Sequence, residues 1–152
     1  MNIFFQLTTG WLYGHIFEYV AHKHVLHNKK KFKKVFRNHF KTHHNASRKN
    51  NMYDKNYNRL VSSKFEIVSL LLILILHLPI AFILPYFYGM IVWSVTSYYL
   101  LHRISHLNIE WGKKWLPWHY DHHMGKNQNM NWCVVHPLAD YIMKTRIKYD
   151  YE

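Results

Sequence analysis

The hydrophobic positions of this chain fall into blocks of membrane length that are separated by polar and basic stretches. The first block covers residues 3–20. The second, Ile67–Leu101, contains no Asp, Glu, Lys or Arg, and as one helix it would be about 50 Å long, well beyond a hydrocarbon core of about 30 Å. Two prolines lie near its middle, so the pattern predicts two passes, about 65–84 and 86–105, joined by a tight turn.

Each block has an alternative interpretation. A buried hairpin of a soluble protein is the alternative for the second block, but Leu70–Leu76 offers water no polar face, which favours the membrane. The first block has no basic region before it and no convincing small-residue cleavage site. We therefore expect a retained helix there, not a removable signal peptide.

The polar stretches on either side of the second block carry clustered histidines. Ten of the 14 histidines lie in four clusters. The clusters are His22 with His27, His39 with His43 and His44, His102 with His106, and His119 with His122 and His123. Imidazole is a common ligand of iron, zinc and copper, and residues three or four apart on a helix point the same way. The clusters therefore predict a metal centre.

Helical geometry brings some of these histidines together more easily than others. His102 and His106, four apart, lie about 40° apart around an α-helix. His22 and His27 are five apart, or about 140°, as are His39 and His44. These two pairs need a helix end or a bulge to converge, or else they serve different metals.

Charge and topology place the four clusters together. If the first block crosses the membrane once and the second crosses twice, residues 22–64 and 102–152 emerge on the same side. The basic run that follows the first cluster makes that side cytoplasmic by the positive-inside rule. The net charge of +12 also raises nucleic acid as a partner, but beside a membrane segment such a run more often reflects orientation or anionic lipid. We therefore expect no nucleic-acid partner, and a single all-α domain over residues 1–152: a membrane bundle of about three crossing helices with a cytoplasmic histidine-rich helical cap.

The ligand types narrow the choice of metal. The chain has only eight Asp and Glu residues and no Glu-x-x-His pair, whereas a ferritin-like di-iron bundle needs several such ligands. HExxH is absent, and with Cys133 as the single cysteine no Cys-rich zinc site or iron–sulfur cluster is expected. Ten imidazoles exceed one tetrahedral zinc site but suit two metals. Two iron ions are the first expectation, and zinc is able to replace them in purified protein.

The order of the motifs resembles that of a known family. Glu18-Tyr19-x2-His22-Lys23-x3-His27, then His39-x3-His43-His44, then His102-x3-His106, then Trp118-His119-Tyr120-Asp121-His122-His123, is similar to the fatty acid hydroxylase and sterol desaturase superfamily. The segment 131–141, NWCVVHPLADY, also resembles the part of that family after its last cluster. The resemblance spans about residues 10–145.

The resemblance implies an integral membrane enzyme that uses dioxygen and two electrons to hydroxylate or desaturate an unactivated C–H bond of a lipid. The ten clustered histidines would hold two irons at the cytoplasmic end of the bundle, in the endoplasmic reticulum of a eukaryotic or viral host or the inner membrane of a bacterium. No bound haem or flavin is expected, so a cytochrome, ferredoxin or reductase would supply electrons. Supporting roles around the ligands are expected for four residues. These are Glu18, Asp121, Asn131 and His136.

Two other functions remain open at this point. One is a non-catalytic metal-binding or metal-transport membrane protein. Transport should place ligands near the membrane midplane, whereas these clusters lie outside the apolar blocks. The other is the same fold without activity, against which the complete clusters argue. The substrate stays open among fatty acid, ceramide, sterol, carotenoid and alkane.

Overall fold

The computed structural model of the chain describes residues 2–59 and 64–151, which are helical and contain no β-strand. Three long helices form a bundle, and short helices make a cap at one end. The α-helices are α1 (Ile3–Ala21), α2 (Lys33–Phe36), α3 (Asn45–Lys49), α4 (Lys64–Ala81), α5 (Pro85–Leu107), α6 (Ile109–Trp115), α7 (Pro117–Met124) and α8 (Leu138–Ile142). Two π-helical segments, π1 (His22–Leu26) and π2 (Arg37–His44), follow α1 and α2, and a 3₁₀ turn covers Lys55–Asn58. The all-α expectation is confirmed.

α5 is the central helix of the bundle, and α1 and α4 both pack against it. Glycine lets α1 approach closely. A Cβ atom on Gly10 would lie 2.9 Å from Cβ of Met90 and 3.0 Å from the carbonyl oxygen of Phe87. A Cβ atom on Gly14 would lie 2.1 Å from Oγ of Ser94. Small residues at such contacts allow two helix backbones to come together, as is common between membrane helices.

The second apolar block folds as the helical hairpin that its prolines predict. α4 ends at Ala81, and the amide of Leu84 donates to the carbonyl of Ile80 at 2.7 Å in the turn that follows. Pro85 then occupies the first turn of α5, where its missing N–H costs no helical hydrogen bond. The observed helices agree with the expected passes to within three residues at each end.

Large apolar side chains on the long helices face outward. Ile75 and Leu76 on α4 are 62% and 76% exposed, and Phe4 on α1 is 75% exposed. Within the described ranges, α4 is the one helix both long and apolar enough to cross a membrane. α1 and α5 have the length, 19 and 23 residues, but polar residues lower their mean hydropathy. Of the three helices expected to cross the membrane, only α4 is therefore supported by its length and composition.

The interior of the cap is largely polar. Fully buried side chains there are mostly histidines, together with Asp54, Asn131 and Asp140. Asp140 organises the segment before α8: its carboxylate accepts the backbone N–H groups of Trp132 and Cys133, both at 2.8 Å, and the Thr145 hydroxyl at 2.7 Å. The buried imidazole rings of the cap require polar partners, because burying a polar group without one costs free energy.

Candidate metal centre

The clustered histidines converge at the end of the bundle, where the cap meets α1 and α5. Two sets offer ligand atoms that all lie within 4.8 Å of one another. The first histidine group comprises His22, His27, His39, His44 and His122, and the second histidine group comprises His43, His102, His106 and His123. Nine of the ten histidines predicted as ligands are therefore brought together, from π1, π2, α5 and α7 and the residue after π1.

His119 is the tenth predicted ligand, and it stands beside the second group. Its Nε2 lies 3.2 Å from Nε2 of His106, and its ring centre lies 4.6 Å from that of His123. His119 is fully buried. It is thus placed to join the second group as a further nitrogen donor or to hold His106 in position.

The two groups are adjacent, and each His-His dipeptide is divided between them. His44 and His122 belong to the first group, while their chain neighbours His43 and His123 belong to the second. Successive residues point about 100° apart in an α-helix and somewhat less in a π-helical turn, so neither dipeptide aims both rings at one point. The rings of His44 and His123 stack at 4.1 Å across the boundary. The arrangement is that of two neighbouring sites.

π-Helical turns account for the pairs spaced five residues apart. The amide of His27 donates to the carbonyl of His22 at 3.1 Å, an i→i+5 bond that widens the turn. His39 and His44 both lie in π2. The wider turn brings residues five apart onto one face, which an ideal α-helix would separate. This is the bulge that the spacing requires.

Five of the ten ligand candidates are fixed by a hydrogen bond at Nδ1. His43 is bound by Asp54 at 2.8 Å, and His102 by Glu66 at 2.9 Å. Backbone carbonyls bind the others: that of Met52 lies 2.7 Å from Nδ1 of His106, that of Met130 lies 2.7 Å from Nδ1 of His122, and that of Trp132 accepts from His22. Each contact makes Nδ1 the donor and leaves the Nε2 lone pair available, as ligating histidines require.

Unpartnered nitrogens show that these residues fit metal ions. Buried ring nitrogens without a hydrogen-bond partner among the described residues occur on six of the ten histidines. They are His27, His43, His44, His102, His119 and His123. Elsewhere the Nε2 atoms of two imidazoles face each other, as in His22 and His39 at 2.9 Å and His44 and His122 at 3.2 Å. Lone pairs directed at a shared point are satisfied by a cation there.

Burial favours the neutral, metal-binding form of five histidines at the centre. It lowers the pKa of His39, His44 and His123 well below the usual value of free histidine, and neighbouring imidazoles lower it further. Burial also lowers the pKa of His122 to about 4 and that of His27 to about 2. Protons therefore compete weakly with a metal at this centre near neutral pH.

The residues expected to support the ligands lie around the centre at different distances. Glu18 accepts hydrogen bonds from the backbone N–H groups of Val134 and Val135. It therefore supports His22 indirectly, because the carbonyl of nearby Trp132 accepts from the ring of His22. Asp121 accepts from Arg146 at 2.6 Å and from Tyr151 at 3.0 Å, which attaches the C-terminal segment to α7.

The other two expected supporting residues also have structural surroundings. Asn131 has a φ of 59°, and it exchanges two hydrogen bonds with the backbone of Ile147. The left-handed conformation is one that asparagine tolerates better than most residues. The ring of His136 lies 5.8 Å from that of His15, outside both histidine groups.

Asp54 and Glu66 are functional candidates that the sequence pattern did not single out. Asp54 begins the 3₁₀ turn in a polar loop, 11 residues after the histidine that it binds. Glu66 offered a signal: it is the last carboxylate before the uncharged block, at the start of a helix whose other residues are largely apolar. The Glu66 carboxylate has a second contact besides His102, because the Tyr57 hydroxyl donates a hydrogen bond to it at 2.8 Å.

An apolar cavity of about 400 Å³ opens onto the centre. It lies between α1, α4 and α5, and its walls are mainly aliphatic and aromatic side chains such as Phe17, Leu70 and Ile91. Both histidine groups reach it, through His22 and His39 of the first and through His43 and His102 of the second. The cavity is large enough for much of a lipid chain.

The fatty acid hydroxylase family model matches residues 7–145 of the chain. The match includes all ten clustered histidines, most of α1, all of α4 and α5, and the segment that carries Trp132. Neither the curated proteins nor the solved structures give a significant match.

Proposed function

The chain belongs to the fatty acid hydroxylase family, and we propose that it is a membrane-bound di-iron enzyme that hydroxylates or desaturates a C–H bond of a lipid, using dioxygen and externally supplied electrons. The observation that carries this proposal is the junction of the apolar cavity with both histidine groups. A metal store needs no such cavity. An enzyme that oxidises a lipid needs one that ends at its metals.

In this proposal the first histidine group holds one iron and the second group holds the other, with His119 beside the second. Neutral imidazoles suit iron, and zinc is able to occupy the same nitrogen-rich sites after purification. Iron bound there would supply the one-electron chemistry that dioxygen activation needs. The family membership and the nitrogen donor set both favour this assignment.

The protein's own residues orient the ligands and exclude water. Asp54 and Glu66 accept from Nδ1 of their histidines, which fixes the ring planes and raises the basicity of the opposite nitrogen. The Tyr57 hydroxyl donates to Glu66 and holds that carboxylate in place. The apolar walls of the cavity leave a bound lipid chain surrounded by hydrocarbon, so the position nearest the histidines is the one open to reaction.

We further propose that α1, α4 and α5 all cross the membrane and that the cap faces the cytoplasm. Exposed apolar side chains on all three helices support this, as do the lysines that follow π1. The membrane would be the endoplasmic reticulum in a eukaryotic or viral host and the inner membrane in a bacterium. Lipid would enter the cavity from the bilayer.

Electrons would come from a reductase, ferredoxin or cytochrome partner. This sequence has no dinucleotide-binding fingerprint, and its single cysteine is too few to hold an iron–sulfur cluster. The exposed basic residues between Lys29 and Arg37 lie next to π1 and offer a docking surface for an acidic donor. Electrostatic steering of this kind chiefly raises the association rate.

Lipid mass spectrometry tests the proposal. The wild-type chain and a His122→Ala variant are expressed in the same host, supplied with ¹⁸O-labelled dioxygen. We expect a lipid in the wild type alone that carries either a labelled hydroxyl group or a new double bond without label. Label that arrives from water, or a lipid profile identical in the two strains when a donor system is present, would contradict it.

A further inference from the structure

The apolar cavity ends inside the bundle, before the far ends of its helices. Its lining residues most distant from the histidine groups are Tyr13 on α1, His77 on α4 and Ile91 on α5. Tyr13 precedes His22 by nine residues, which is about 13 Å along the helix axis. His77 follows Glu66 by 11 residues, or about 16 Å. The cavity therefore has a floor at about this depth below the histidines.

The floor spans a gap between two helices that are otherwise apart. α1 and α4 each pack along α5, but in the described ranges they pack little against one another. The Tyr13 hydroxyl and Nε2 of His77 meet across this gap at 2.7 Å. Nδ1 of His77 lies 2.7 Å from the carbonyl oxygen of Ile73, so it is the donor nitrogen of the ring, and Nε2 accepts from Tyr13. This hydrogen bond, the Tyr13–His77 bridge, fixes both side chains across the cavity.

Aromatic rings close the space around the bridge. The ring of Phe17 meets that of His77 edge to face, with ring centres 5.4 Å apart. On the side away from the histidine groups, the ring of Phe87 lies 5.4 Å from that of Tyr13. Gly10 then brings α1 against the Phe87 carbonyl oxygen, from which a Cβ atom would be only 3.0 Å away. Close packing of α1 on α5 thus resumes directly beyond the bridge, where none of the described residues lines the cavity.

We propose that the Tyr13–His77 bridge is a stop that limits the length of lipid chain the cavity accepts. With carbon–carbon bonds of about 1.5 Å at tetrahedral angles, an extended chain advances about 1.25 Å per carbon, so about 10–13 carbons fit between the histidines and the bridge. A stop of this kind discriminates unbranched acyl chains by the number of carbons beyond the one that reacts. This inference rests on the proposed function only for which carbon lies at the histidines.

A structural tie between α1 and α4 is the alternative role for the bridge. A polar pair within a membrane segment is costly, and either role would account for its presence. The two roles differ in where the pair must lie. A tie serves at any level of the two helices, whereas a stop must lie at the end of the cavity, which is where the bridge lies. A tie affects stability alone, whereas a stop affects binding in a way that depends on chain length.

Binding of a series of fatty acids tests the stop without any turnover. Saturated acids from decanoate to docosanoate are titrated into metal-loaded protein in nanodiscs. For each acid, the dissociation constant of the wild type is divided by that of a variant. The ratio cancels the partitioning of the acid into the bilayer, because both proteins are measured in the same nanodiscs.

Two variants open the floor from opposite sides. Tyr13→Ala and His77→Ala each remove one ring and the hydrogen bond between them, so either one tests the stop if the other does not fold. The control is Tyr88→Ala, which removes a ring outside the cavity lining and its 3.2 Å hydrogen bond to the Leu74 carbonyl. That bond links α5 to α4, so the control reproduces the loss of a tie between two helices.

We expect both floor variants to bind short acids as the wild type does. They should bind acids that exceed the wild-type limit about tenfold more tightly, because forcing extra methylenes into a filled cavity is costly. The control should give a ratio that does not vary with length. A ratio independent of length in folded Tyr13→Ala or His77→Ala protein would overturn the inference, as would the same length dependence in Tyr88→Ala. Because binding is measured, failure of the oxidation reaction leaves this result intact.

Discussion

The carboxylate of Asp54 accepts a hydrogen bond from Nδ1 of His43 at 2.8 Å, and Nε2 of His43 is left without a partner among the described residues. The pair is buried, with side-chain exposures of 11% for His43 and 1% for Asp54. The contact sets the proton on Nδ1 and the lone pair on Nε2. It therefore prepares His43 as a metal ligand before any metal arrives.

Removing this carboxylate should weaken metal binding. Asp54→Ala frees the His43 ring, and we expect metal affinity to fall by about 10- to 100-fold in competition with a chelator. Asp54→Asn should lose less, because its side-chain oxygen can still accept from His43. Asp150→Ala changes an exposed aspartate and is the matched control. Equal affinities in Asp54→Ala and Asp150→Ala would show that the contact does not serve the metal.

Two glycines on neighbouring helices should respond in opposite directions to alanine. Gly10→Ala forces a Cβ atom to within 3.0 Å of the Phe87 carbonyl oxygen, and we expect it to lower the free energy of unfolding by about 1–3 kcal/mol. Gly89 has nothing within 4 Å of such an atom, so Gly89→Ala should stabilise α5 by about 0.5–1 kcal/mol. Thermal unfolding in detergent measures both. A Gly10→Ala protein as stable as the wild type would show that α1 does not pack closely on α5.

Cysteine labelling in intact vesicles tests the three crossings. On a Cys133→Ser background, single cysteines replace Lys29, Lys126 and Ile83, which are all exposed. We expect positions 29 and 126 to react from the same side and position 83 from the other. Permeabilised vesicles, in which all three should react, provide the control. Labelling of positions 29 and 126 from opposite sides would separate the clusters and contradict a single centre.

Charge reversal tests the docking of an electron donor. Changing Lys30, Lys33 and Lys34 to Glu should slow turnover several-fold at low salt and have little effect at high salt, because screening weakens steering. Metal content should not change. A second triple variant, with Glu at exposed Lys126, Lys144 and Lys148, has the same net charge and is the control. Equal slowing in the two triple variants would point to general charge and not to a docking surface.

The helices were accessible from sequence because they depend on local periodicity. The convergence of the four histidine clusters was predicted from the number of membrane-length blocks between them. The two prolines and the uncharged block locate the hairpin, and spacing of three or four residues aligns His102 with His106. The five-residue spacing of His22 and His27 required a bulge, and π1 provides one. The ligand set itself stays a prediction until metal is measured.

The partners of the histidines were not accessible, because they come from distant parts of the chain. The carbonyl of Trp132 binds His22 from 110 residues away, and Glu66 binds His102 from 36. Neither contact follows from the periodic spacing of residues along a helix. Every residue has a backbone carbonyl, so the sequence does not indicate which one binds a histidine. The division of His43 and His44 between two sites follows from helix geometry, yet it becomes visible only when both groups are assembled.

Elemental analysis of purified protein tests the two-metal centre most directly. The chain is expressed in an iron-supplied host and purified without chelators, and the metal content per chain is compared with that of three histidine variants. The account predicts about two transition-metal ions per wild-type chain, fewer in His122→Ala and in His106→Ala, and no change in His24→Ala, which alters an exposed histidine outside both groups. A metal-free wild-type protein, or the same metal content in all four proteins, would contradict it.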